Sequence, residues 1–265
     1  MSTPRDVYTH GHHESVLRSH RWRTAANSCA YLLPRLRPGM DLLDVGCGPA
    51  TITADLAAAV APGRVLGLDR DAGIIDAARR DHPGLELATG DVYALDLPDA
   101  AFDVVHAHQV LQHLTDPVRA LREMHRVLRP GGVLAVRDGD YAAFAWAPRD
   151  PRLDRWMALY HDVTRANGAE ADAGRFLAGW VRAAGFADLE VSSSTWTFAT
   201  PEDRAWWGDS WAGRATRSAF AEQAVAGGLA TRDELEDVAA GWRDWAAHPD
   251  GVLILVHGEV LARRR

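Results

Sequence analysis

The amino-acid sequence predicts an α/β protein with a doubly wound, mostly parallel sheet. Short apolar runs alternate with helical stretches, and this alternation is typical of a parallel sheet that helices cover on both faces. Right-handed crossovers between successive strands then give the doubly wound order. A chain of 265 residues, 47% of them hydrophobic, is long enough for one such domain or for a domain with a cap.

The first part of the chain supplies the predicted strands and helices in strict alternation. The apolar runs that indicate strands are at 41–45, 64–69, 85–89, 102–107 and 132–137. The last of the intervening helices ends at the proline and glycines of RPGG, which cannot continue a helix. The predicted helices cover 51–60, 71–81 and 116–129.

After residue 140 the pattern is less regular. A helical segment with tryptophans precedes a predicted strand at 188–198, a helical stretch covers 201–248, and VLILVHGEVLA at 252–262 is a final strand. Nine of the ten tryptophans lie at or after Trp146. We expect most of them in an apolar core and a few in the wall of a pocket for a flat or apolar ligand. A cation-binding aromatic cage is the alternative use of such rings.

Composition argues against several functional classes. The net charge of -7 disfavours a nucleic-acid partner, because such binding needs a basic face. The sequence has no lysine, which excludes a pyridoxal Schiff base, a lysine nucleophile and a phosphate-binding P-loop. No stretch of about 20 apolar residues could cross a bilayer, and two cysteines cannot form a disulfide framework. We therefore expect a cytoplasmic protein with no membrane partner.

The loops that follow the strands carry the candidate binding residues, since ligands of such sheets lie beyond the carboxyl ends of the strands. LLDVGCGPA at 42–50 ends the first strand in a turn, where Gly46 and Gly48 let the backbone approach a ligand and Cys47 is a small neighbour. Asp69 ends the second strand at the usual position of a carboxylate that binds both ribose hydroxyls. A helix cap is the alternative role for Asp69.

Asp44 decides between the possible ligands. It lies just before the glycines, where a carboxylate would repel a pyrophosphate but suits an ammonium group. A ligand with an amino acid at one end and a ribose at the other satisfies Asp44 and Asp69 together, and S-adenosylmethionine has that layout. The third loop then supplies Asp91 for the adenine amino group and Val92 for a ring face, while the loop at 106–114 would line the methionine end.

Residues 40–138 resemble the class I S-adenosylmethionine-dependent methyltransferases, and specifically the small-molecule branch of the ubiquinone and menaquinone C-methyltransferases. The motifs of that family occur in order and at the right spacing, as LLDVGCGPA, GLDRD, TGDVYALDLPDAAFDVVHAHQVLQHLTDP and REMHRVLRPGGVLAV. The resemblance implies a Rossmann-like, seven-stranded sheet with an antiparallel last strand, and S-adenosylmethionine as cofactor. Ala50 departs from the family, which usually has a third glycine there. The implied cofactor contacts are Asp44, Gly46, Cys47, Gly48, Asp69, Arg70, Asp91, Val92 and His108.

The same resemblance implies the last two strands of the sheet. The sixth strand is at 188–198, and the antiparallel seventh strand is at 252–260. A helix is predicted at 14–33, behind the stretch YTHGHHE. No metal site is predicted from its histidines, because no cysteine or paired-carboxylate spacing supports one. Tyr8 and His12 are candidates for contact with cofactor or substrate, and a simple capping segment is the alternative. The predicted division is a helical cover at 1–35, a cofactor-binding core at 36–200, a helical cap at 201–248 and the last strand with its tail at 249–265.

An oxygen or carbon nucleophile needs a group that removes its proton, whereas a neutral amine does not. His113 and Asp140 follow the fourth and fifth strands, so they are the predicted bases, with Tyr141 and Tyr8 as hydrogen-bond partners. His113 could instead pack under its loop. The predicted function is methyl transfer to a small aromatic or apolar metabolite by in-line displacement. The alternative is a protein of the same fold that binds S-adenosylmethionine but catalyses or regulates without methyl transfer.

Overall fold

The structure, a computed structural model, describes residues 6, 7, 9 and 19–265. Tyr8 and His12 lie outside the described residues, so their predicted contacts stay predictions. The predicted helix at 14–33 is not continuous in its described part. Residues 19–21 are helical, a break follows, and Thr24 starts a separate short helix through a reciprocal capping box with Asn27.

Strands and helices alternate as predicted up to residue 139, and most bounds agree to within two residues. The largest difference is the fifth strand, which begins at Leu128 and includes the RPGG stretch. The strands are β1 Leu42–Val45, β2 Val65–Asp69, β3 Glu86–Thr89, β4 Phe102–His108, β5 Leu128–Gly139, β6 Ala145–Ala147, β7 Ala187–Phe198 and β8 Val252–Arg263. The α-helices are α1 Ala25–Ser28, α2 Thr51–Val60, α3 Ala72–Asp81, α4 Pro117–Val127, α5 Pro151–Ala166, α6 Ala173–Ala183, α7 Pro201–Arg217, α8 Ala219–Ala226 and α9 Arg232–Ala247.

The strands form one sheet in the order β3-β2-β1-β4-β5-β8, and β7 pairs with the other side of β8. Strands β1 to β5 are parallel, while β8 is antiparallel to β5 and β7. The predicted fold class, with its antiparallel last strand, is confirmed. The described part of the chain has one strand more than predicted, because β6 pairs with the start of β8.

The two faces of this sheet differ in polarity. One face carries apolar side chains such as Val105 and Val136, which pack against α4 and α6. The opposite face is apolar near the amino ends of its strands, at Leu42 and Val104, and becomes polar toward their carboxyl ends. Strand register places the polar side chains next to one another across four strands. These side chains are Asp44, His106, His108, Arg137 and Glu259.

Four helices of the second part of the chain form a core of their own, and we call this group the cap: α5, α7, α8 and α9. Helices α7 and α9 pack against each other, and α5 and α8 complete this core. At its centre, the ring centroid of Trp156 lies 4.7 Å from that of Trp211 and 4.9 Å from that of Trp242. Buried aromatic pairs of this kind stabilise a core beyond their area alone. Among the helices that the structure describes, none has both the length and the apolar character needed to cross a membrane.

Candidate active site

A cavity of about 770 Å³ lies at the carboxyl edge of the sheet. It brings together predicted residues from all four loops, as expected for a ligand site at that edge. Asp140 is not part of the cavity wall, and Tyr8 lies outside the described residues. The predicted residues in the wall are Asp44, Gly46, Cys47, Gly48, Asp69, Arg70, Asp91, Val92, His108, His113 and Tyr141.

The turn after β1 depends on its two glycines. Gly46 has a φ of +69°, and a Cβ there would lie 2.4 Å from Cγ2 of Val110. Gly48 has a φ of +53°, and apart from Gly48 and its two chain neighbours no described residue has an atom within 4 Å of the position that its Cβ would take. Because Gly48 also lines the cavity, its missing side chain leaves open space for a ligand against the backbone.

Ala50 occupies the position where the family resemblance predicts glycine. Its φ is +62°, in the left-handed region, at the N-cap of α2. The residue is fully buried and does not line the cavity. The departure therefore costs backbone strain, about 1–2 kcal/mol, and takes no volume from a ligand.

The carboxylate of Asp69, at the end of β2, is held by two backbone amides. Gly48 N donates to Oδ2 at 3.1 Å, and Asp71 N donates to Oδ1 at 3.0 Å. Helix α3 is capped by Asp71, whose Oδ1 accepts from Ile74 N, so the alternative role of Asp69 as that cap is not supported. A carboxylate oxygen has two lone pairs and can accept from more than one donor.

Asp44 is buried and has two side-chain partners. His106 Nδ1 lies 2.7 Å from Oδ1, and Thr53 Oγ1 donates to Oδ2 at 2.6 Å. Burial by itself lowers the pKa of His106, but the Asp44 carboxylate outweighs burial and raises that pKa to about 10. The two side chains are then an ion pair at neutral pH. A ligand ammonium would share Asp44 with His106, so the predicted ammonium contact stays a prediction.

The end of the cavity predicted for adenine is formed by Asp91, Val92 and Arg70. Asp91 is exposed, and its Oδ1 accepts from Tyr93 N at 2.9 Å, which fixes the carboxylate at the start of a turn. Val92 is half-buried against the apolar face of the sheet. Arg70 Nη1 donates to the backbone oxygen of Asp6 at 2.9 Å, so residue 6 lies across this end. Together with the turn after β1 and Asp69, these residues are the loop end of the cavity.

Aromatic rings form the opposite wall. Trp196 on β7 and Trp207 and Trp211 on α7 line the cavity, and each is less than a tenth exposed. The guanidinium carbon of Arg214 lies 4.9 Å from the ring centroid of Trp211, a cation–π distance. We call this part the aromatic end; its rings are those of Tyr141, Phe144, Trp196, Trp207 and Trp211.

Gln109 connects two polar side chains of the cavity wall, with a left-handed backbone at φ +54°. Arg23 Nη2 donates to Oε1 at 2.7 Å, and because a guanidinium only donates, the amide nitrogen must face His257. Gln109 Nε2 lies 2.9 Å from His257 Nε2, so that imidazole nitrogen accepts. Burial, followed by Arg137 and Arg23, holds the pKa of His257 well below its ordinary value.

His108 and His113 are also neutral at physiological pH. Burial, followed by Arg23 and Arg137, holds the pKa of His108 well below its ordinary value. Burial, followed by Arg23, lowers the pKa of His113 to about 3, and its Nε2 lies 3.0 Å from Gln112 Nε2. A histidine with such a pKa is unprotonated at pH 7 but is a weak base. Removal of a proton by His113 therefore stays a prediction that the surrounding charges do not favour.

Asp140 and Tyr141 are adjacent in the sequence, but only Tyr141 lines the cavity. Arg175 donates from Nε to Oδ2 of Asp140 at 2.8 Å and from Nη2 to Oδ1 at 2.5 Å, so both carboxylate oxygens are engaged outside the cavity wall. This arrangement does not favour Asp140 as a base. Tyr141 lines the cavity, and its ring stacks on Tyr160 with centroids 4.0 Å apart. Burial raises the pKa of Tyr141, so its phenol stays protonated.

A buried ion pair lies behind the aromatic end. Arg137 Nε donates to Oε1 of Glu259 at 3.2 Å, and its guanidinium carbon lies 4.7 Å from the ring centroid of Trp196. Burial lowers the pKa of Arg137 to about 10, so the guanidinium stays charged at neutral pH. Ser192 donates to the other oxygen of Glu259 at 2.9 Å. Arg137, fixed by Glu259, therefore packs against Trp196 on the polar side of the sheet.

Several polar residues of the cavity wall were not predicted individually, although Gln109 belongs to the loop at 106–114 that was predicted to line the methionine end. Among them are Arg23, Gln109, Arg214 and His257. A signal exists for two of them. His257 and Glu259 stand two residues apart in an otherwise apolar strand, so they indicate a polar face. Arg214 follows Trp211 at a spacing of three, which places both on one helix face. Nothing in the local sequence distinguishes Arg23 or Gln109.

The loop end fits S-adenosylmethionine by the chemistry of its donors. The open space over Gly48 can take a group that lies against the backbone, and the amides that hold Asp69 aim its carboxylate at the same cavity. Burial raises the pKa of the Cys47 thiol, so this residue is an uncharged neighbour in the turn. The residues of this wall therefore have the chemistry that the predicted cofactor needs, and their individual contacts with it stay predictions.

Comparison with known proteins gives the same family. Residues 43–136 match a family described as methyltransferase domain. An uncharacterized methyltransferase of Schizosaccharomyces pombe is 31% identical over 292 aligned residues, which cover 100% of this chain and 99% of the relative. A demethylmenaquinone methyltransferase of Listeria welshimeri is 38% identical over 139 residues, covering 50% of this chain and 55% of the relative. Phosphoethanolamine N-methyltransferase 2 of Haemonchus contortus, solved with phosphomonomethylethanolamine and S-adenosylhomocysteine, has a TM-score of 0.53 at 17% identity, covering 89% of this chain and 52% of that one.

Proposed function

Because this chain belongs to the S-adenosylmethionine-dependent methyltransferases, we propose that it transfers the cofactor's methyl group to a small aromatic or apolar metabolite by in-line displacement. The observation that carries the proposal is the continuity of the cavity, which extends from Asp69 to Trp207 and Trp211. Cofactor and acceptor can meet in such a cavity, and aromatic walls suit a flat or apolar acceptor.

The loop end would hold the cofactor. Asp69 would accept from the ribose hydroxyls, Asp91 and Val92 would contact the adenine, and the backbone at Gly46 and Gly48 would lie against the amino-acid part. When bound, S-adenosylmethionine supplies an electrophilic methyl group on a sulfonium. The carboxylates of the loop end are matched in charge to that cation.

The aromatic end would position the acceptor and exclude water. Trp196, Trp207 and Trp211 line the cavity, so a flat acceptor would replace water there. Of the predicted catalytic residues, His113 and Tyr141 line this cavity, and we propose both as contacts of the acceptor. With neutral histidines in the wall, catalysis by positioning is favoured over strong general-base catalysis.

A transfer assay tests the proposal. The protein is incubated with methyl-labelled S-adenosylmethionine and a panel of phenols, quinols and aromatic carboxylates, and both labelled product and S-adenosylhomocysteine are quantified. We expect label in at least one acceptor, with an equal amount of S-adenosylhomocysteine. Tight cofactor binding by calorimetry, with no label in any acceptor, would contradict methyl transfer to this class and favour a protein that binds the cofactor for another purpose.

A further inference from the structure

His108 is a buried polar side chain with unused hydrogen-bonding capacity. It ends β4, is 6% exposed and lines the cavity. Neither Nδ1 nor Nε2 has a hydrogen-bond partner within the described part of the chain. Leaving both polar atoms of a buried ring unsatisfied costs stability, and such positions often serve a ligand. The position of His108 therefore points to a partner that enters the cavity.

The neighbouring polar groups already bond one another. His106 is paired with Asp44, and the Gln109 amide is bonded to His257. These contacts occupy the neighbouring side chains without reaching the His108 ring. A ligand beside β4 would therefore find the two ring nitrogens of His108 available for hydrogen bonding.

His108 lies where the two ends of the cavity meet. Its neighbour Ala107 is in register with Val45, so His108 is level with Gly46 at the edge of the sheet. The His108 ring centroid lies 5.7 Å from that of Trp196, the β7 ring of the aromatic end. A group bonded to His108 would therefore lie beside Trp196 and close to the turn that faces the cofactor.

The charge around His108 selects the kind of group that it can bind. Burial, followed by Arg23 and Arg137, disfavours a positive charge on His108, so the imidazole stays neutral, with one nitrogen that donates and one that accepts. An ammonium group would meet the same repulsion from both arginines. A hydroxyl group is neutral and can bond to either ring nitrogen, because it both donates and accepts.

We infer that His108 binds the methyl acceptor through a hydroxyl group carried by a flat aromatic ring, which packs beside Trp196. This inference rests on the proposed function and names a class within it, the phenols and ring enols. It also moves His108 from the cofactor contact that the family resemblance implies to the acceptor side of the cavity.

The test compares two probes of similar size, 1-naphthol and 1-methylnaphthalene, in which a methyl group replaces the hydroxyl. Their binding to the protein saturated with S-adenosylhomocysteine is measured by equilibrium dialysis. We expect the wild type to prefer 1-naphthol by about tenfold, the effect of one net hydrogen bond. The preference should disappear in His108→Leu and persist in part in His108→Gln, whose amide both donates and accepts. His82→Leu, a histidine outside the cavity wall, is the matched control and should keep the full preference.

Three outcomes overturn the inference: equal binding of both probes to the wild type, no binding of either probe, or a preference that survives in His108→Leu. The affinity for S-adenosylhomocysteine, measured on the same variants, reports the fold and the cofactor site. Methyl transfer is scored separately with labelled cofactor. Absence of transfer to any acceptor, together with a His108-dependent preference for 1-naphthol, would remove the proposed function and leave a site for ring hydroxyls.

Discussion

The two ends of the cavity are built from different kinds of structure. The loop end consists of backbone turns and short acidic side chains, at Gly46, Gly48, Asp69 and Asp91, each at the carboxyl end of a strand or within three residues of it. The aromatic end consists of large side chains from β7, α7 and the segment between β5 and β6, which come together only in the folded protein. One end is therefore determined by local chain geometry and the other by tertiary packing.

This difference shows how a single cavity can serve two ligands with different demands. A cofactor needs hydrogen bonds at fixed positions. Backbone amides and carboxylates can supply them, because the ends of the strands fix where these groups lie. An acceptor is met by rings such as Trp207 and Trp211, whose positions depend on a separate helical core. The two ends should then respond separately to substitution, and the predictions below test that separation.

The largest effect should come from Trp156→Ala in the core of the cap. Trp156 is fully buried among Trp211 and Trp242, so its loss should lower the free energy of unfolding by about 3–5 kcal/mol. The affinity of the folded variant for S-adenosylhomocysteine should change by less than about twofold, because the loop end does not contact Trp156. Denaturant unfolding and calorimetry measure the two quantities.

Trp180→Ala is the matched control, since Trp180 is only partly buried and stacks on the exposed ring of Phe176. It should cost about 1 kcal/mol. Similar destabilisation by both substitutions, or a large loss of cofactor affinity in Trp156→Ala, would show that the two ends are not separable.

Asp69→Ala should show the converse behaviour. Removal of a carboxylate that bonds the ribose should weaken cofactor binding by about 1.5–3 kcal/mol, and calorimetry with S-adenosylmethionine measures it. Asp44→Asn should also weaken binding if Asp44 contacts the ammonium group. Asp81→Ala, an exposed acid at the end of α3, is the control and should leave affinity unchanged. Unchanged affinity in both cavity variants would mean that the cofactor site is wrongly placed.

Asp138→Asn should change how the free energy of unfolding of the protein depends on pH. Asp138 is fully buried, its Oδ1 accepts from Gln112 N at 3.1 Å, and burial raises its pKa to about 8. Between about pH 4 and 8 the folded protein holds a proton that the unfolded chain has lost, so the stability present at pH 4 is lost as the pH rises. Asparagine has no proton to lose.

The Asp138→Asn variant should therefore be about 1–3 kcal/mol more stable than the wild type at pH 8 and equally stable near pH 4. Urea unfolding at both pH values measures the difference. A variant that is less stable than the wild type at pH 8 would show that the Asp138 carboxylate is ionised and bonded in the folded protein.

The smallest effect should come from Ala50→Gly in the loop end. Glycine relieves the left-handed strain at φ +62°, so stability should rise by about 0.5–1 kcal/mol. Cofactor affinity should not change, because the Ala50 methyl lies outside the cavity wall. Ala58→Gly, the same change at an exposed position inside α2, should lower stability by a similar amount. Thermal unfolding measures both variants. A change of the same sign in both would contradict the assignment of strain at Ala50.

The loop end and the sheet could be predicted because their signals are contiguous in the sequence. A strand followed by Gly46 and Gly48, and an acid at the end of the next strand, specify a turn and a carboxylate without knowledge of any distant residue. Alternation of apolar runs with helical stretches similarly specified a parallel sheet. The extra strand β6 was not predictable from three residues, since a run so short has no period.

The remaining features arise from partners that are distant in the sequence. The pairing of Asp44 with His106 depends on strand register between β1 and β4. The engagement of Asp140 by Arg175 depends on how α6 packs under the sheet edge. The tryptophan pattern predicts an apolar core with some rings in a pocket wall, but only tertiary packing decides that Trp207 lines the cavity.

The position of β8 in the sequence has a consequence for synthesis of the protein. It follows all of its partner strands, yet it pairs with β5, β6 and β7. In the described structure β7 finds its pairing only in β8, so the nascent chain carries an unpaired β7 while α7, α8 and α9 are made. Chains stalled on the ribosome before Val252 should stay sensitive to protease in β7. Full-length chains joined to an added C-terminal linker, long enough to bring β8 out of the ribosome, should become resistant. Translational arrest within the cap would therefore leave an aggregation-prone intermediate in place of a smaller folded unit.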